Sequence, residues 1–577
     1  MDFKKQRKIL LINMTLVAFL FIVTMFFVES TGVFGRSYQE QGGLGVDLFG
    51  SVYNHVLANY YEETDSIELS KDAINGIMES LDPYSSFLEK TDYKQLEDDT
   101  RGEFGGLGIA ISINPKTDYP TVMEYPIEGT PADKAKLRAG DAIVEVEGIS
   151  TFKKPLTEVV GMLRGKVGTP VKIKIKRGNQ EELLSYNIIR GTIPLNNISY
   201  SGEIDERIGY IKLRRFNQEA KNELDNALDN LLNSNVKGVI LDLRANPGGL
   251  LTSAQEIANR FLPKSSLIVF TRDRSDEKRE FLAKEVAKMP KTPLVVLVNR
   301  ASASASEIVA GAIQDHDRGV LVGETTFGKG SVQTVFNDLV DGYGLKLTTA
   351  HYFTPSSRSI HKERSIEDLY AEAEIDEFSV AVEESLDTRE KFETLKSGRI
   401  VYGGGGITPD IIIKDRITGN IVIQLVYQNI FFDFAVDYTE KHPGIEVDFT
   451  ITDEMLEEFK TFIANEENFE YSIPGKTYLD DFSERIELEK YNGEILSLVK
   501  NIETALINKR DDDFEANRET IKRFLKQEIT AANFGSTQRT IASKEWDVQL
   551  QKAIEILNDS EYYNSILSSD FQTGVEN

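Results

Sequence analysis

The stretch LVVLVNRASASASEIVAGAIQDHDRGVLVGETTFGKGSVQ, residues 294–333, decides the fold of this chain. Its β-branched run at 293–299 predicts a buried strand, and the apolar spacing at 307–314 predicts a helix. A turn of small residues and hydroxyls, with Ser304 at its centre, separates the two. A side chain in such a turn meets free backbone N–H groups and the positive end of the helix. We therefore interpret Ser304 as a candidate nucleophile.

A lysine between two glycines, Lys329, follows the next short strand at 320–323. A lysine with the ordinary pKa of about 10.4 is a poor base at neutral pH. Burial against apolar neighbours such as Phe327 and Val332 can lower that pKa by roughly 3–5 units. The sequence thus predicts Lys329 as the general base for Ser304. Gln333, four residues further on, is expected to hold the lysine amine with its amide.

Backbone donors for an oxyanion are expected at two turns. Ala305 follows the nucleophile directly, and Gly248 lies in the turn 246–249 after a second buried strand at 236–243. Because glycine has no side chain, a reacting carbonyl can approach its N–H closely. Both N–H groups would stabilise the negative charge that develops when a hydroxyl attacks an amide.

The composition excludes several kinds of chemistry. The 577 residues contain no cysteine, so a thiol nucleophile, a thiolate-bound metal and disulfides are ruled out. Five histidines occur, but none has metal-ligand spacing, and the sequence implies no metal or organic cofactor. The formal net charge of −27 argues against nucleic acid as the main partner, because phosphate binding needs clustered Lys and Arg.

The first 30 residues have the pattern of a membrane anchor or signal segment. Lys4, Lys5, Arg7 and Lys8 precede an apolar run at 9–28, which is long enough to span a bilayer. The basic flank is expected to stay in the cytoplasm. Since no small-residue cleavage site follows, an uncleaved single-pass anchor is favoured over a removed signal. The expected location is the cell inner membrane, with the catalytic part in the periplasm or another extracytoplasmic space.

Four regions follow this segment. Helical periodicity dominates at 31–101, short strands with glycine turns at 102–193, alternating strands and helices at 194–415, and acidic helices at 416–577. The alternation at 194–415 predicts an α/β core. Within it, the charged stretch 362–398 is interpreted as a surface insertion and the four glycines at 403–406 as a turn. The C-terminal region, with apolar stripes at 421–434 and 495–506, is expected to pack or to self-associate.

The region 102–193 resembles a PDZ domain. The loop Gly106-Leu107-Gly108-Ile109 precedes a strand at 110–113. Helices at 131–137 and 156–164 and a strand at 171–176 follow in the order of that family. In PDZ domains such a loop offers N–H groups to the C-terminal carboxylate of a peptide, which lies as an added strand on the sheet edge. Arg164 is either a link between this ligand and the core or simply a charge at the C-terminal end of its helix.

Three motifs, SASASEIVAGA, DLRANPGG and GETTFGKGSVQ, resemble those of the carboxy-terminal processing (tail-specific) proteases. The resemblance implies a serine endopeptidase with a core similar to the Clp protease and crotonase folds and an inserted PDZ domain. By the family's pattern, Ser304 is the nucleophile, Lys329 the base and Gln333 its partner, with oxyanion donors at Gly248 and Ala305. It also implies protein substrates with exposed C-termini, which are cut near that end. The insertion before residue 400 and the helical C-terminal extension depart from the family's pattern.

Alternatives remain at three points. Ser302 and Ser306 are rivals for the nucleophile that residue types alone do not reject. A PDZ scaffold with an inert protease domain would bind protein tails without cutting them. A Ser–His–Asp protease would need a base such as His316, which lies in or at the end of the helix after Ser304. A homo-oligomer is expected, and an adaptor protein is a further candidate partner.

Overall fold

The computed structural model describes residues 36–575, except 179, 181, 338, 340–341, 366–367, 369–387, 415–418, 466–468, 470, 472–475 and 490–492. The expected membrane anchor and much of the 362–398 insertion therefore lie outside the described residues. No helix within the described ranges combines the length and the apolar content that a bilayer crossing requires. The chain divides into two compact units, with the division between Leu81 and Asp82.

The first unit contains two helices, α1 (Arg36–Asn59) and α2 (Ser66–Glu79). Asp65 caps α2, because its carboxylate accepts hydrogen bonds from two N–H groups of the first helical turn. The structure thus has helices in the region 31–101, where the sequence shows helical periodicity. Several apolar side chains of α1 are exposed, with Leu44 at 74% and Val46 at 70%.

The second unit opens with strand β1 (Ser86–Leu88) and helix α3 (Lys90–Arg101), followed by the PDZ region. That region contains β2 (Glu103–Gly106), β3 (Ile111–Ile113), β4 (Pro120–Val122), α4 (Pro131–Lys134), β5 (Ala142–Val146), β6 (Ile149–Ser150), α5 (Leu156–Leu163), β7 (Pro170–Lys176), β8 (Leu184–Ile189) and β9 (Gly191–Pro194). Its sheet has the order β3-β4-β5-β7-β8, with β6 on β5, so β3 lies at an edge. Strand β2 pairs with β9 and leads into the glycine loop.

The α/β core follows and is built on a central, mostly parallel sheet. Its elements are β10 (Ile198–Asp205), β11 (Ile208–Leu213), α6 (Ala220–Asn233), β12 (Gly238–Asp242), α7 (Leu251–Ala258), β13 (Leu267–Asp273), β14 (Lys278–Leu282), β15 (Leu294–Val298), α8 (Ala305–Asp315), β16 (Val320–Gly323), β17 (Ser331–Phe336), β18 (Gly344–Phe353), β19 (Lys391–Glu393), β20 (Ile400–Tyr402) and β21 (Ile411–Ile412). Strands β11, β12, β15, β16 and β21 are parallel neighbours, and β10 pairs antiparallel with β11. Sequences such as LVVLV in β15 suit strands that are buried on both faces.

A second sheet carries the segment after Lys329. The long strand β18 pairs with β17 along one edge and with β1 and then β13 along the other. Strand β14 continues this sheet beyond β13, and β19 and β20 form a separate pair. The loop 324–330, which carries Lys329 and is called the base loop below, leads into β17 of this sheet. Because β1 lies on β18, the residues from Asp82 to Ser85 are brought to the same sheet.

The C-terminal extension is helical, as predicted. Its elements are α9 (Asn420–Tyr427), α10 (Ile430–Lys441), α11 (Asp453–Ala464), α12 (Lys476–Leu488), α13 (Gly493–Ala516), α14 (Arg518–Phe534), α15 (Ser536–Ala542), a 3₁₀ turn (Lys544–Trp546), α16 (Val548–Asn558), α17 (Ser560–Ile566) and β22 (Gly574–Val575). The apolar stripe at 421–434 is split between α9 and α10, because Asn429 adopts the left-handed conformation with φ 59°. Helices α9, α10, α11 and α14 share a hydrophobic core of their own.

The last part of this extension completes the α/β core, which the sequence did not predict. Helices α6, α7 and α8 pack on one face of the central sheet. Helices α16 and α17 pack on the other face. Strand β22 then pairs in parallel with β21 at the sheet edge. The core therefore has helices on both faces of a parallel sheet, and its second helical layer comes from residues after 547.

Candidate active site

Ser304 lies between β15 and α8, in the turn that the sequence singled out. Its backbone has φ 55° and ψ −112°, an unusual conformation for a residue with a side chain. Such strain costs about 1–3 kcal/mol and persists where the surrounding structure enforces it. Ser304 is half-buried, and among the described residues no carbonyl oxygen accepts from its hydroxyl. The N-terminal end of α8 adds a positive potential next to this hydroxyl.

The two rival serines have structural contacts instead. The Ser302 hydroxyl donates to the carbonyl oxygen of Leu243 at 2.8 Å, and the Ser306 hydroxyl donates to the carbonyl oxygen of Asn246 at 2.9 Å. Both side chains are fully buried. Of the three serines, Ser304 has the accessible hydroxyl.

Gly248 and Ala305 lie side by side next to Ser304. A Cβ atom at Gly248 would be 2.8 Å from the backbone nitrogen of Ala305 and 2.9 Å from Cβ of Ser304, so only glycine fits there. The N–H of Ala305 has no acceptor within the described part of the chain. The N–H of Gly248 donates to Oδ1 of Asn246 at 2.9 Å. The structure thus brings both expected oxyanion donors to one place, with Asn246 as the present acceptor for one of them.

Lys329 is half-buried in the loop between β16 and β17. Burial lowers its pKa from 10.5 to about 8, and the positive charge of Lys346 acts in the same direction. The carboxylates of Glu307 and Asp82 oppose this shift. The ring of Tyr84 lies against the amine, with 4.9 Å between Nζ and the ring centroid. A substantial fraction of the amine is therefore neutral at mildly alkaline pH, as a general base requires.

A buried carboxylate joins the nucleophile turn to the base loop. Oε2 of Glu307 accepts from the N–H of Ser304 at 2.8 Å and from the N–H of Lys329 at 2.9 Å. Its Oε1 accepts from the N–H of Gly328 at 2.7 Å and from the hydroxyl of Thr326 at 2.6 Å. Burial raises the pKa of Glu307, and these four donors counteract the rise. Because one oxygen atom contacts both backbones, the main chains of Ser304 and Lys329 are held next to each other.

Tyr352 joins the same two backbones through its hydroxyl. That hydroxyl lies 3.1 Å from the carbonyl oxygen of Ser304 and also contacts the carbonyl oxygen of Lys329. The side chain is fully buried, and burial raises the pKa of the hydroxyl far above its ordinary value. The hydroxyl is therefore protonated at neutral pH and serves as a donor to this pair of carbonyls.

Gln333 and the Lys329 amine share no hydrogen bond among the described residues. The amide nitrogen of Gln333 donates to Oγ of Ser331 at 2.9 Å and to Oγ1 of Thr348 at 3.3 Å. The Thr348 hydroxyl in turn donates to Oδ1 of Asp82 at 3.2 Å. These contacts fix the amide nitrogen, so its oxygen is the atom that can accept from the amine.

The amine and the serine hydroxyl are close in backbone position but are not hydrogen-bonded. Within the described ranges, no hydrogen bond joins Nζ of Lys329 to the Ser304 side chain. The amine lies against the Tyr84 ring instead. The structure therefore brings the main chains of the predicted nucleophile and base together, with the lysine amine turned to the Tyr84 ring.

Three of the five histidines of the sequence lie in the α/β core. His316 lies at the far end of the 11-residue helix α8, where its Nε2 contacts the carbonyl oxygen of Leu267 at 2.7 Å. His351 and His361 pack edge to face beside the base loop, with 4.9 Å between ring centroids. A Cβ atom at Gly330 would be 2.9 Å from Cβ of His361. The sequence did not single out this histidine pair, which lies near the lysine.

The glycine loop of the PDZ region presents free donors. Within the described part of the chain, the N–H groups of Leu107, Gly108 and Ile109 have no acceptor. The adjoining strand β3 is an edge strand of its sheet. Arg164 stacks on Phe104, at 4.1 Å from the ring centroid, just before this loop. The loop thus has the donors and the free edge that a peptide's C-terminal end needs.

Four residues of the site were not found from the sequence, namely Glu307, Tyr352, Asp82 and Tyr84. A signal for Glu307 was present, because Ser304-x-x-Glu307 matches the capping-box pattern at a helix start. The other three reach the site only through the pairing of β18 with β17 and β1. No local pattern in the sequence encodes that pairing.

Family models match three parts of the chain. The model of peptidase family S41 matches residues 207–371, and a PDZ domain model matches residues 122–177. A model described as the C-terminal helical domain of a probable PDZ-protease matches residues 421–557. These matches fall on the α/β core, the PDZ region and the helical extension.

Relatives match over most of their own length. The chain is 39% identical to the carboxy-terminal-processing protease of Bartonella bacilliformis over 316 residues, which are 54% of this chain and 71% of that protein. It is 34% identical to the carboxy-terminal processing protease CtpA of Bacillus subtilis over 360 residues, 62% of this chain and 76% of that one. Among solved structures, the photosystem II D1 C-terminal processing protease is 30% identical, with a TM-score of 0.33, and the match covers 54% of this chain and 89% of that chain. On the sequence matches, this chain belongs to the carboxy-terminal processing proteases of peptidase family S41 and is a serine peptidase.

Proposed function

We propose that this peptidase cuts proteins near their C-termini, with Ser304 as nucleophile and Lys329 as general base. The observation that carries the proposal is the shared Glu307 carboxylate, which holds the two main chains side by side. The lowered pKa of Lys329, about 8, supports its amine as a base.

In the first step, the neutral Lys329 amine takes the hydroxyl proton while Oγ of Ser304 attacks the substrate carbonyl carbon. The carbonyl oxygen becomes an oxyanion beside the N–H groups of Ala305 and Gly248. Lys329 then gives its proton to the departing amine, the C–N bond breaks, and an acyl-enzyme remains. A water molecule then attacks the carbonyl carbon of this ester while Lys329 takes its proton. Lys329 returns that proton to Oγ of Ser304 as the ester C–O bond breaks.

Two adjustments precede this step. The lysine amine moves from the Tyr84 ring toward Ser304, where the amide oxygen of Gln333 accepts one of its hydrogens. The N–H of Gly248 exchanges its Asn246 partner for the oxyanion. The main chains of Ser304 and Lys329 already lie together through Glu307.

The PDZ region binds the C-terminal end of the substrate. Its free N–H groups at 107–109 bind the terminal carboxylate, and the peptide adds as a strand to β3. Arg164, at the end of α5 and stacked on Phe104, is a candidate link between this ligand and the catalytic core.

We further propose that residues 9–28 anchor the protein in the cell inner membrane, with its catalytic part outside the cytoplasm. The support is the basic segment before this apolar run. The protein should stay with membranes after an alkaline carbonate wash, and protease added to the outside of spheroplasts should digest it. Release by the wash contradicts the anchor. Self-association is proposed as well, supported by the exposed apolar side chains of α1, and an adaptor protein is a further candidate partner.

The catalytic proposal is tested with an unfolded model protein as substrate. Ser304→Ala and Lys329→Ala should each lower its cleavage by at least about 100-fold. Both variants should still bind a peptide with a free C-terminus. Mass spectrometry of the products should place the cuts near the substrate's C-terminal end. Undiminished cleavage by Lys329→Ala removes lysine from the mechanism.

An inert PDZ scaffold is the second candidate. The observation in its favour is that no hydrogen bond joins Lys329 to Ser304 among the described residues. A scaffold predicts that the parent protein binds C-terminal peptides but cuts none of the model substrates and does not react with a fluorophosphonate. Labelling of Ser304 by that reagent excludes the scaffold.

A further inference from the structure

Arg244 lies at the carboxyl end of β12, just before the turn that carries Gly248. Its side chain is only 14% exposed. Nε and Nη2 of Arg244 donate to the Asp242 carboxylate at 3.0 Å and 2.7 Å. That carboxylate is fully buried and also accepts from the Tyr210 hydroxyl at 2.6 Å. The arginine therefore belongs to a buried polar network just before the turn 246–249, which is called the oxyanion turn below.

The second carboxylate of this network comes from the C-terminal extension. Nη1 and Nη2 of Arg244 donate to Oδ1 and Oδ2 of Asp547 at 2.8 Å and 2.7 Å. Such a two-fold contact fixes both the position and the plane of a guanidinium. Gln549 adds a further acceptor for Nη1 at 3.1 Å, and its own amide nitrogen donates to the carbonyl oxygen of Ile413 at 2.8 Å.

The turn after this arginine is bonded to the nucleophile turn. The N–H of Ala245 donates to Oδ1 of Asn299 at 2.9 Å, and the N–H of Ala303 donates to the carbonyl oxygen of Asn246 at 3.0 Å. Oδ1 of Asn246 also holds the N–H of Gly248. Gly248 lies only four residues after Arg244 in this bonded turn. A displacement of the arginine would therefore also displace the N–H of Gly248.

We propose that Asp547 is a positioning residue for catalysis, whose carboxylate fixes Arg244 and thereby the oxyanion turn beside Ser304. The helical extension is then a part of the catalytic architecture as well as a packing domain. This inference rests on the proposed oxyanion role of Gly248.

The charges of the network explain why a carboxylate is needed at this place. Burial alone would raise the pKa of Asp547, but the Arg244 guanidinium holds it below the ordinary value, so Asp547 is ionised at neutral pH. Removing one partner from a buried ion pair leaves the remaining charge short of compensation. The guanidinium would then turn toward Asp242 alone or toward water, and the main chain at Arg244 would follow it.

The test variant is Asp547→Asn. Asp547 caps α16 by accepting from the N–H of Leu550 at 3.0 Å, and asparagine caps a helix as well as aspartate does. The substitution thus keeps the cap and the size of the side chain, and it removes the charge and one acceptor for the arginine.

A matched control is Lys544→Ala. Lys544 forms another ion pair between the same segment and the core, with Asp205 at 2.8 Å. Asp205 pairs with Ile208 at the first residue of β11, whereas Arg244 follows the last residue of β12. The control therefore breaks a contact of the extension at the opposite end of the sheet.

The measurement is kcat and KM for peptide cleavage by the full chain, per active site counted by fluorophosphonate labelling of Ser304. Loss of one oxyanion donor costs on the order of 10²–10³ in kcat, and a displaced donor costs less. We expect about a tenfold lower kcat per site for Asp547→Asn, with KM within about twofold of the parent, and parent values for Lys544→Ala. An unchanged kcat per site, or an equal loss in Lys544→Ala, overturns the inference. Ser304→Ala is measured in the same cleavage assay. Cleavage of the peptide by Ser304→Ala would overturn the proposed function instead.

Discussion

Tyr84 covers one side of the Lys329 amine. We predict that this contact helps to set the pH at which the amine is neutral. In Tyr84→Ala, water reaches the amine, so its pKa should rise from about 8 toward 10.5. The protonated amine is the inactive form, and activity is lost as the pH falls through the lysine pKa. The acid limb of kcat/KM should therefore move to higher pH by about one unit, which is about a tenfold loss of rate at pH 7.

Two variants serve as controls for this shift. Tyr84→Phe keeps the ring and should keep the limb near its parent position. Phe87→Ala removes a neighbouring ring of β1 that stacks on Tyr343, with 5.3 Å between centroids, away from the amine. It should lower stability without moving the limb. A Tyr84→Ala profile that overlays the parent profile would show that the ring does not tune the base.

At the scale of single residues, the sequence was most informative about candidate site residues that lie close together along the chain. Ser304, Ala305, Lys329 and Gln333 all lie in one stretch of the chain, so their spacing could be interpreted directly. The hydrogen bonds of Gln333 to Ser331 and Thr348 could not be anticipated, because they depend on the strand register.

Between elements, Glu307 is the contact that joins α8 to the base loop. Glu307→Gln replaces two acceptor sites by an NH₂ group, so some of the four donors around it lose their acceptor. Each buried donor without a partner costs about 1–3 kcal/mol. We expect a lower melting temperature and a kcat reduced by at least about tenfold, measured by calorimetry and peptide cleavage.

The control for the Glu307 prediction is a conservative change at one of the donors to the same carboxylate. Thr326→Ser keeps the hydroxyl that donates to Oε1 and should remain close to the parent in both measurements. If Glu307→Gln retains full kcat, the carboxylate contact between the Ser304 turn and the base loop is not needed for catalysis.

The elements themselves show which patterns predict structure. The run expected as a strand at 293–299 is β15, and the helix expected at 307–314 is α8, which begins two residues earlier. Both elements are fully buried, so the apolar residues that they need for packing mark them in the sequence. The stripe at 421–434 spans two helices, since the helical pattern continues across Asn429 although the backbone turns there. A residue in the left-handed conformation leaves the apolar spacing intact, so the break is invisible to periodicity.

In the whole molecule, the PDZ region and the helical extension are in direct contact. Lys116 pairs with Asp433 of α10 at 3.1 Å, and a Cβ atom at Gly140 would be 2.7 Å from Cγ1 of Val436. Burial raises the pKa of Asp433, while Lys116 acts against the rise. The extension thus contacts the PDZ region through α10, and through Asp547 it contacts Arg244, which precedes the turn that carries Gly248. The sequence could not predict this arrangement, because helical periodicity does not say which partner an apolar face covers.

Capture of the substrate's C-terminus is tested at Gly108. A Cβ atom there would be 2.5 Å from Cβ of Thr130, and φ is 88°, so Gly108→Ala should distort the carboxylate loop. The parent should cleave a peptide with a free C-terminal carboxylate at lower KM than its amidated form, and Gly108→Ala should lose this difference. Both KM values are measured by peptide cleavage.

Gly129→Ala controls for backbone strain in that experiment. Gly129 has φ 76°, but a Cβ atom there meets nothing within 4 Å. This variant should therefore keep the preference for a free carboxylate. A preference that persists in Gly108→Ala would place the binding of substrate tails elsewhere.

The most direct test of the Ser–Lys dyad is the pH dependence of the rate at which a fluorophosphonate labels Ser304. The dyad predicts a rate that rises with an apparent pKa of about 8, the value for the half-buried Lys329. It also predicts that Lys329→Ala loses this limb together with most of the labelling rate. A limb that remains unchanged in Lys329→Ala would contradict lysine as the base. So would a limb that disappears in His361→Gln, which would lie at lower pH because burial lowers the pKa of His361.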